Sequence, residues 1–369
     1  MKEHPVSKNV HIPAPLKKLA NAYFDKNFII YLVGGAVRDI LLNDIPNDYD
    51  FVSDATTDET IKIMEELGCK IYYKGKRFGI ISGSIEDIKI EIGTFRKDVT
   101  DDRLPIVDFN VTILDDANRR DITYNALYYD FNRCVILDYV GGIDDMNNKI
   151  TKMVGDPVLR INQDKLRILR VIRYACKYNH AIDIDTKNAI QNSDLCDISK
   201  ERIYEEIIRS FQCTDFHQYL TYMKELNLFK HVFPDMNVVY DMDIKSKYLP
   251  IYFAYMFKNT DHLSTGLKNL KYDRLLIKQT KFLINMLYFN PFLICKFLKK
   301  KKQYHLDNNM LIEWNELMNL DNYQQKFITY QTIIKKDFVE NLIKQGYNGK
   351  DLSNKLDQLE YEHFLYYCN

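Results

Sequence analysis

Residues 31–51 read YLVGGAVRDILLNDIPNDYDF, and this stretch decides the fold. An apolar run from Phe28 to Val33 predicts a strand that feeds Gly34-Gly35, then a short amphipathic helix, then an Asp-x-Asp pair. Paired glycines at a strand end let the backbone approach a polyphosphate with no Cβ in the way. The helix holding Arg38 and Asp39 begins with unpaired N–H groups and the positive end of its dipole. Asp48 and Asp50 are two apart, so on an extended strand both carboxylates face one side. Hard oxygen ligands in that arrangement suit Mg²⁺ bridging to a nucleoside triphosphate. Each part alone also fits a plain solvated turn, for Gly-Gly after a strand and for Asp-x-Asp beside Pro46 and Asn47 alike. The mechanistic order of all three within about twenty residues favours chemistry.

Working outward, strands and helices alternate to about residue 140. Thr57 to Leu67 has helical spacing; Ile71–Tyr73, Ile80–Ser82 and Ile88–Thr94 read as strands between Gly75, Gly79 and Gly83. In IKIEIGTF, Ile88, Ile90 and Ile92 share one face and Lys89 and Glu91 the other. Glu91 then joins Asp48 and Asp50 as a third carboxylate, or is a surface glutamate on a half-exposed strand. Asp98 to Asp108 is a polar loop. In RRDITYNALYYD, Arg119 and Arg120 suit bidentate neutralisation of phosphate, and Asp121 and Asn125 suit ribose hydroxyls; a charged turn before a buried element fits the same run. Asp138 with Gly141-Gly142 reads as a flexible connection between two units.

From Asn162 onward helical periodicity takes over. Helices are expected at Asp164–Lys177, Lys200–Phe211, Phe216–Leu226 and Leu249–Phe257. Asp164 and Arg167 stand i, i+3, with Arg170 and Arg173 continuing as a slowly rotating stripe. Such a pair can accept from and donate to the Watson–Crick edge of a base, or simply form a salt bridge on an amphipathic helix. The plan is an α/β head followed by an all-helical remainder.

At 369 residues the chain exceeds a single core. Net charge is zero, so RNA contact must come from local patches such as Lys268, Lys271, Arg274, Lys278 and Lys281, or Lys299 to Lys302. Most such runs are solvated faces. The 27 Tyr and 20 Phe, beside abundant Asn, Ile and Lys, point to an AT-rich genome more than to a stacking surface. Seven cysteines without a CxxC pair read as reduced thiols, and scattered histidines suggest no zinc site. No signal peptide or membrane span is expected, and the cytoplasm is the expected compartment.

GGAVRD with DYD, EIGTFRKD, RRDITYNAL, DYVGGIDDM and QDKLRILRVIRYA resemble, in order from Tyr31 to Tyr178, the class II tRNA nucleotidyltransferase and bacterial poly(A) polymerase family. The resemblance implies an α+β fold: a nucleotidyltransferase (polymerase beta-like) head with a mixed sheet over 1–150, a neck with the base-reading helix over 151–215, and a helical body and tail that bind RNA over 216–369. It implies that Asp48 and Asp50 bind two Mg²⁺, that Glu91 is the third acid, and that Gly35 and Arg38, beside Gly34, contact the triphosphate. It further implies that Arg120 and Asp121 recognise phosphate and ribose with Asn125 in support. Asp164 and Arg167 would read the base, with Arg170 and Arg173 in register; Gln163 stands where the family has Glu.

The family divides into enzymes that add CCA to tRNA from CTP and ATP and enzymes that add A tails. The short loop from Arg96 to Phe109, with Arg103, Pro105 and Val107, and the run GYNGKDLSNKLDQLE (Gly346 to Glu360) resemble the first. Lys76-Arg77-Phe78 and LYYD after Ala126 look more like the second. CCA addition is the expectation, with a poly(A) polymerase or an inactive RNA-binding relative as alternatives. No DNA or membrane partner is expected.

Overall fold

Alternating apolar residues, punctuated by glycine, build an eight-stranded mixed sheet in the first part of the chain. The computed structural model describes residues 1–5, 12–46, 48–73, 75–98, 107–239 and 243–368. The first elements are β1 (Lys2–Pro5), α1 (Ala14–Phe24), β2 (Ile30–Val33), α2 (Gly35–Leu41), β3 (Tyr49–Ser53), α3 (Thr57–Glu66), β4 (Lys70–Tyr72), β5 (Ile80–Ile85) and β6 (Ile88–Thr94). Then come β7 (Lys97–Asp98), β8 (Val107–Asp108), α4 (Ile113–Asn118), β9 (Leu127–Asp130), β10 (Val135–Asp138), α5 (Gly142–Asn147) and β11 (Ile150–Thr151). After α6 (Pro157–Gln163), α7 (Leu166–Tyr178), β12 (Ala181–Ile182) and α8 (Ile184–Gln191), the chain is helical. Its helices are α9 (Lys200–Cys213), α10 (Phe216–Glu225), α11 (Phe229–Val232), α12 (Leu249–Met256), α13 (Leu263–Asn269), α14 (Arg274–Met286), α15 (Ile294–Gln303), α16 (Asn308–Met318), α17 (Asn322–Thr329), α18 (Lys336–Lys344) and α19 (Gly349–Cys368).

Contacts group the chain into two units, Met1–Ile198 with Gln212–Asn227, and Ser199–Phe211 with Leu228–Asn369. The sheet of the first unit runs β1-β10-β9-β2-β3-β6-β5-β4. Its pairs are antiparallel except β3 with β6. One face carries Ile30, Leu32, Phe51, Ile81, Ile85, Ile90 and Ile92 into a core with Leu16, Leu19 and Tyr23 of α1 and Ile63 and Met64 of α3. Period-two alternation turns Asp50, Glu91, Ser82 and Ser84 to the other face. There a smaller cluster of Val33, Val52, Phe95, Ala117 and Tyr128 packs at one end. In the second unit the aromatic residues form core: Trp314 is fully buried, its Nε1 donating to the Leu283 carbonyl at 2.8 Å. Phe297 meets Phe282, Phe289 and Phe327 edge-on, and Phe327 meets Phe282 and Phe289 at a tilt.

The mixed-sheet head and helical remainder agree with the sequence reading; two local expectations do not. Asp164 does not lie on a helix. It sits in extended backbone between α6 and α7 (φ −155°, ψ 101°), because α6 starts independently at Pro157 with Asp156 capping its N–H groups. The Asp164 carboxylate accepts the Leu166 N–H at 3.1 Å and so helps to start α7. Nor is the segment after Asp138 a loose connection. The buried Asp138 carboxylate accepts the N–H groups of Val140, Gly141, Gly142 and Ile143 at 2.8–3.1 Å. Gly142 is pressed against backbone: a Cβ there would meet the Thr123 carbonyl oxygen at 2.2 Å.

Candidate active site

Sheet register brings the three predicted carboxylates together. Asp50 on β3 is the direct partner of Glu91 on β6, and Asp48 precedes β3 by one residue. All three line one cleft of about 570 Å³. The Asp50 carboxylate opens to this cleft, yet protein surrounds it closely. Burial, with repulsion from Glu91 and Asp48 and partial relief from Arg120, pushes its carboxyl up to about 6. Ser82 donates to Glu91 across the next strand pair at 3.3 Å.

Across β3 from Glu91, Val33 of β2 stands directly opposite Asp50, so the Gly34-Gly35 turn begins beside the carboxylates. Gly34 has φ +73°, a conformation that glycine adopts without strain, and its N–H is held by the Leu127 carbonyl. A Cβ on Gly34 would sit 3.7 Å from Nη1 of Arg120. Arg120 is fixed there by Asp116, which accepts from its Nε at 3.1 Å and Nη2 at 2.9 Å, and by the Tyr128 hydroxyl at 3.0 Å. Tyr128 also donates to Asp116 at 2.8 Å, and Arg119 pairs with the same carboxylate at 2.7 Å. Burial opposes ionisation of Asp116, but Arg120 and Arg119 outweigh it and hold its carboxyl down to about 2.

Sequence reasoning missed Asp116 and Tyr128. The available signal was the capping pattern Thr112-x-x-Asp115, which starts α4 and puts Asp116 i, i+3 and i, i+4 from the two arginines.

Arg38 is not presented to the cleft. Its residue is 3% exposed, Nη1 donates to Asn125 Oδ1, and Nε and Nη2 donate to Asp39 at 3.1 and 2.8 Å. The guanidinium lies over the rings of Tyr178 and Tyr174 of α7, 4.9 and 5.5 Å from their centroids. Arg38 also lies behind the Gly-Gly turn: a Gly35 Cβ would be 3.4 Å from its Nη2.

The α7 residues converge on the Arg119–Asp121 segment. Arg170 grips Asp121, with Nε at 2.7 Å and Nη2 at 2.6 Å. Despite burial, Arg170 holds the Asp121 carboxyl down to about 2. Arg167 donates to the carbonyls of Arg160 at 2.9 Å and Arg119 at 3.0 Å and to Gln163 Oε1 at 3.1 Å; Gln163 also accepts from Arg160 at 2.7 Å. The amide at position 163 thus receives both arginines. Arg173 is buried and lies 4.4 Å from the Tyr174 ring centroid. The predicted loop residues 99–106, with Arg103 and Pro105, lie outside the described residues.

Residues 30–152 match the poly A polymerase head domain, and residues 180–239 match a segment described as the probable RNA and SrmB-binding site of polymerase A. Residues 30–152 thus carry the head domain of the poly(A) polymerase family. Within this family, poly(A) polymerase I of Salmonella typhimurium is 32% identical over 247 residues, 63% of this chain and 52% of that protein. The CCA-adding enzyme of Staphylococcus epidermidis is 34% identical over 222 residues, 59% of this chain and 53% of that protein. The chain thus spans about half the length of the curated relatives it matches. The crystal structure of the Bacillus stearothermophilus CCA-adding enzyme in complex with CTP has the same fold, with a TM-score of 0.74 at 19% identity, covering 94% of this chain and 92% of that one.

Two further observations bear on ligands. Among the described residues no three His, Cys, Asp or Glu side chains form a metal cage by themselves, and no helix is long and apolar enough to cross a membrane. In the second unit, a cavity of about 690 Å³ gathers Lys268, Lys271, Arg274, Lys278, Lys281 and Lys300, joining the two basic stretches read from sequence. Burial, then Lys296 and Lys281, lower the Lys300 ammonium pKa.

Proposed function

We propose that the chain transfers nucleotides from CTP and ATP to the 3′-hydroxyl of tRNA without a template, completing a CCA end. The observation that carries this reading is the register of Asp50 and Glu91, with Asp48, beside a glycine turn faced by a fixed arginine. The hydroxyl oxygen bonds to the α-phosphorus as the bond to pyrophosphate breaks. Arg120 Nη1, next to Gly34, is positioned to balance charge on the departing pyrophosphate. Asp116 and Tyr128 keep that guanidinium oriented. Arg167 and Arg170 act through the Arg119–Asp121 segment, and Asp164 starts the helix that carries them. Arg38 and Asn125 are positioning residues behind the turn.

The crowding of Asp48, Asp50 and Glu91 fits a divalent cation: burial first, then the neighbouring carboxylates, push Asp50 upward, and hard oxygen donors suit Mg²⁺. Asp48 and Asp50 would hold it, and when bound it lowers the pKa of the attacking hydroxyl and offsets phosphate charge. The basic cavity of α13–α15 supports an RNA role for the helical second unit. The expected division at about 150 and 215 into head, neck and body remains part of this reading.

The short loop between Arg96 and Phe109 and the Gly346–Glu360 run favour CCA addition, and the likeness to a CCA-adding enzyme bound to CTP is in keeping with it. A poly(A) polymerase is the second reading, favoured by the Salmonella typhimurium relative. Incubation with tRNA lacking its CCA end and single labelled nucleotides separates them. Three-residue growth requiring CTP supports the first, and long ladders from ATP alone refute it. Asp48→Asn with Asp50→Asn abolishes either activity; persistence at normal speed sinks the mechanism.

A further inference from the structure

The chemistry above uses only one half of the cleft. Across β3, β6, β5 and β4 the outward residues form two cross-strand rows. The first runs Asp50, Glu91, Ser82, Tyr72, each in register with the next. The second runs Lys89, Ser84, Lys70, with Asp48 ahead of β3 on the same level. The alternate residues Ile81, Ile85, Ile90 and Ile92 are core, so these rows share the open face. Carboxylates stand on and beside β3 and on β6; Lys89 stands on β6 level with Asp48, Lys70 and the Tyr72 ring stand on β4 at the far edge, and Asp87 of the β5–β6 turn also lines the cleft. At roughly 4.8 Å per strand, Tyr72 stands three strands, about 14 Å, from Asp50. Lys70 and Lys89 are exposed, and Tyr72 is 57% exposed, so packing does not explain the ring. The Gly-Gly turn and Arg120 lie on the opposite flank of β3, through β2.

We propose that the β4–β5–β6 half of the cleft holds the single-stranded 3′ end of the RNA acceptor. Tyr72 stacks on a base, Lys70 and Lys89 meet phosphates, and the terminal hydroxyl is delivered toward Asp50 and Glu91. Stacking rings interleaved with cations are the general means of holding unpaired nucleic acid. The carboxylates then stand between two substrates, triphosphate on the β2 side and acceptor on the β4 side. This assignment rests on the nucleotidyl-transfer reading and adds the acceptor subsite to it. The competing explanation is that Lys70 on the edge strand discourages edge-to-edge pairing and Lys89, level with Asp48, is a solvated surface charge, roles that leave substrate binding untouched.

Steady-state extension of tRNA lacking its CCA end, with the full chain, tests the assignment. Tyr72→Ala raises the KM for RNA roughly 5- to 150-fold, and Tyr72→Phe and Tyr72→Trp restore it. Lys70→Ala and Lys89→Ala each make the dependence of log KM on log salt shallower by about 0.7, the value for one single-strand phosphate contact. The KM for CTP stays within about twofold in every variant, since nucleotide binding is untouched. Unchanged RNA KM and salt slope in variants that still extend RNA overturn the acceptor subsite alone, as does a fall in kcat at constant RNA KM. If the unaltered chain transfers no nucleotide to any RNA, the proposed function falls and this subsite with it.

Discussion

Asp116 makes the sharpest test of how the site is held. Its carboxylate is fully buried and serves Arg119, Arg120 and the Tyr128 hydroxyl at once. Asp116→Asn keeps the shape but removes the charge. With the carboxyl held at about 2 in the folded chain against an ordinary 3.8, its ionisation contributes about 2–3 kcal/mol at pH 7. A depressed carboxyl stabilises above its unfolded pKa and loses that contribution as pH falls through the folded value. About half should therefore remain at pH 3 and almost none below 2. Urea unfolding followed by far-ultraviolet circular dichroism reads the loss, while the fluorescence of the single tryptophan, Trp314, reports the second unit separately. The difference between Asp116→Asn and the unaltered chain should be about 2–3 kcal/mol at pH 7 and should narrow toward pH 3. Under the proposed function, the KM for nucleotide also rises as Arg120 loses its brace. A stability difference below about 1 kcal/mol, or one that does not change with pH, refutes the reasoning.

Asp138→Ala strands four N–H donors, of which those on Gly142 and Ile143 are buried; at about 1–3 kcal/mol each, thermal or urea unfolding should show a loss of roughly 2–6 kcal/mol. Gly142→Ala forces a methyl into the Thr123 carbonyl and should lower stability by at least about 1–3 kcal/mol, measured the same way. Under the proposed function, Lys281→Glu with Lys300→Glu should weaken tRNA binding and flatten its salt dependence, read by filter binding from low to moderate salt, while leaving the fold intact by circular dichroism.

Much of the head was legible because its signals are local. The Ile88-Ile90-Ile92 alternation fixes which face of β6 is core, and hence that Glu91 is open. Helix Thr57–Glu66 announces itself with a full capping box at Thr56 and Glu59. What stayed hidden depends on partners far along the chain. Lys2–Pro5 forms an edge strand only by pairing with Val135–Asp138. In LYYD all four residues are buried, so no alternation marks β9. The break at Asp164 was masked by unbroken helical spacing on both sides. Sequence also gives no hint that Tyr174 and Tyr178 pack over Arg38. The carboxylate cluster needed only strand alternation, whereas the Asp116 anchor needed the spacing of one short helix read together with Tyr128.

The way α7 is moored has an evolutionary corollary. Its side chains clasp the backbone of Arg119, the carboxylate of Asp121 and the guanidinium behind Gly35. A helix tied at three points to the Gly-Gly turn and the Arg119–Asp121 segment cannot drift on its own. Exchanging it for the counterpart from a cousin would drag those loops out of alignment unless residues 38 and 119–125 travelled with it. Under the proposed function, changes in nucleotide preference should therefore arrive as linked blocks of substitutions, and chimaeras cut inside the block should be inert.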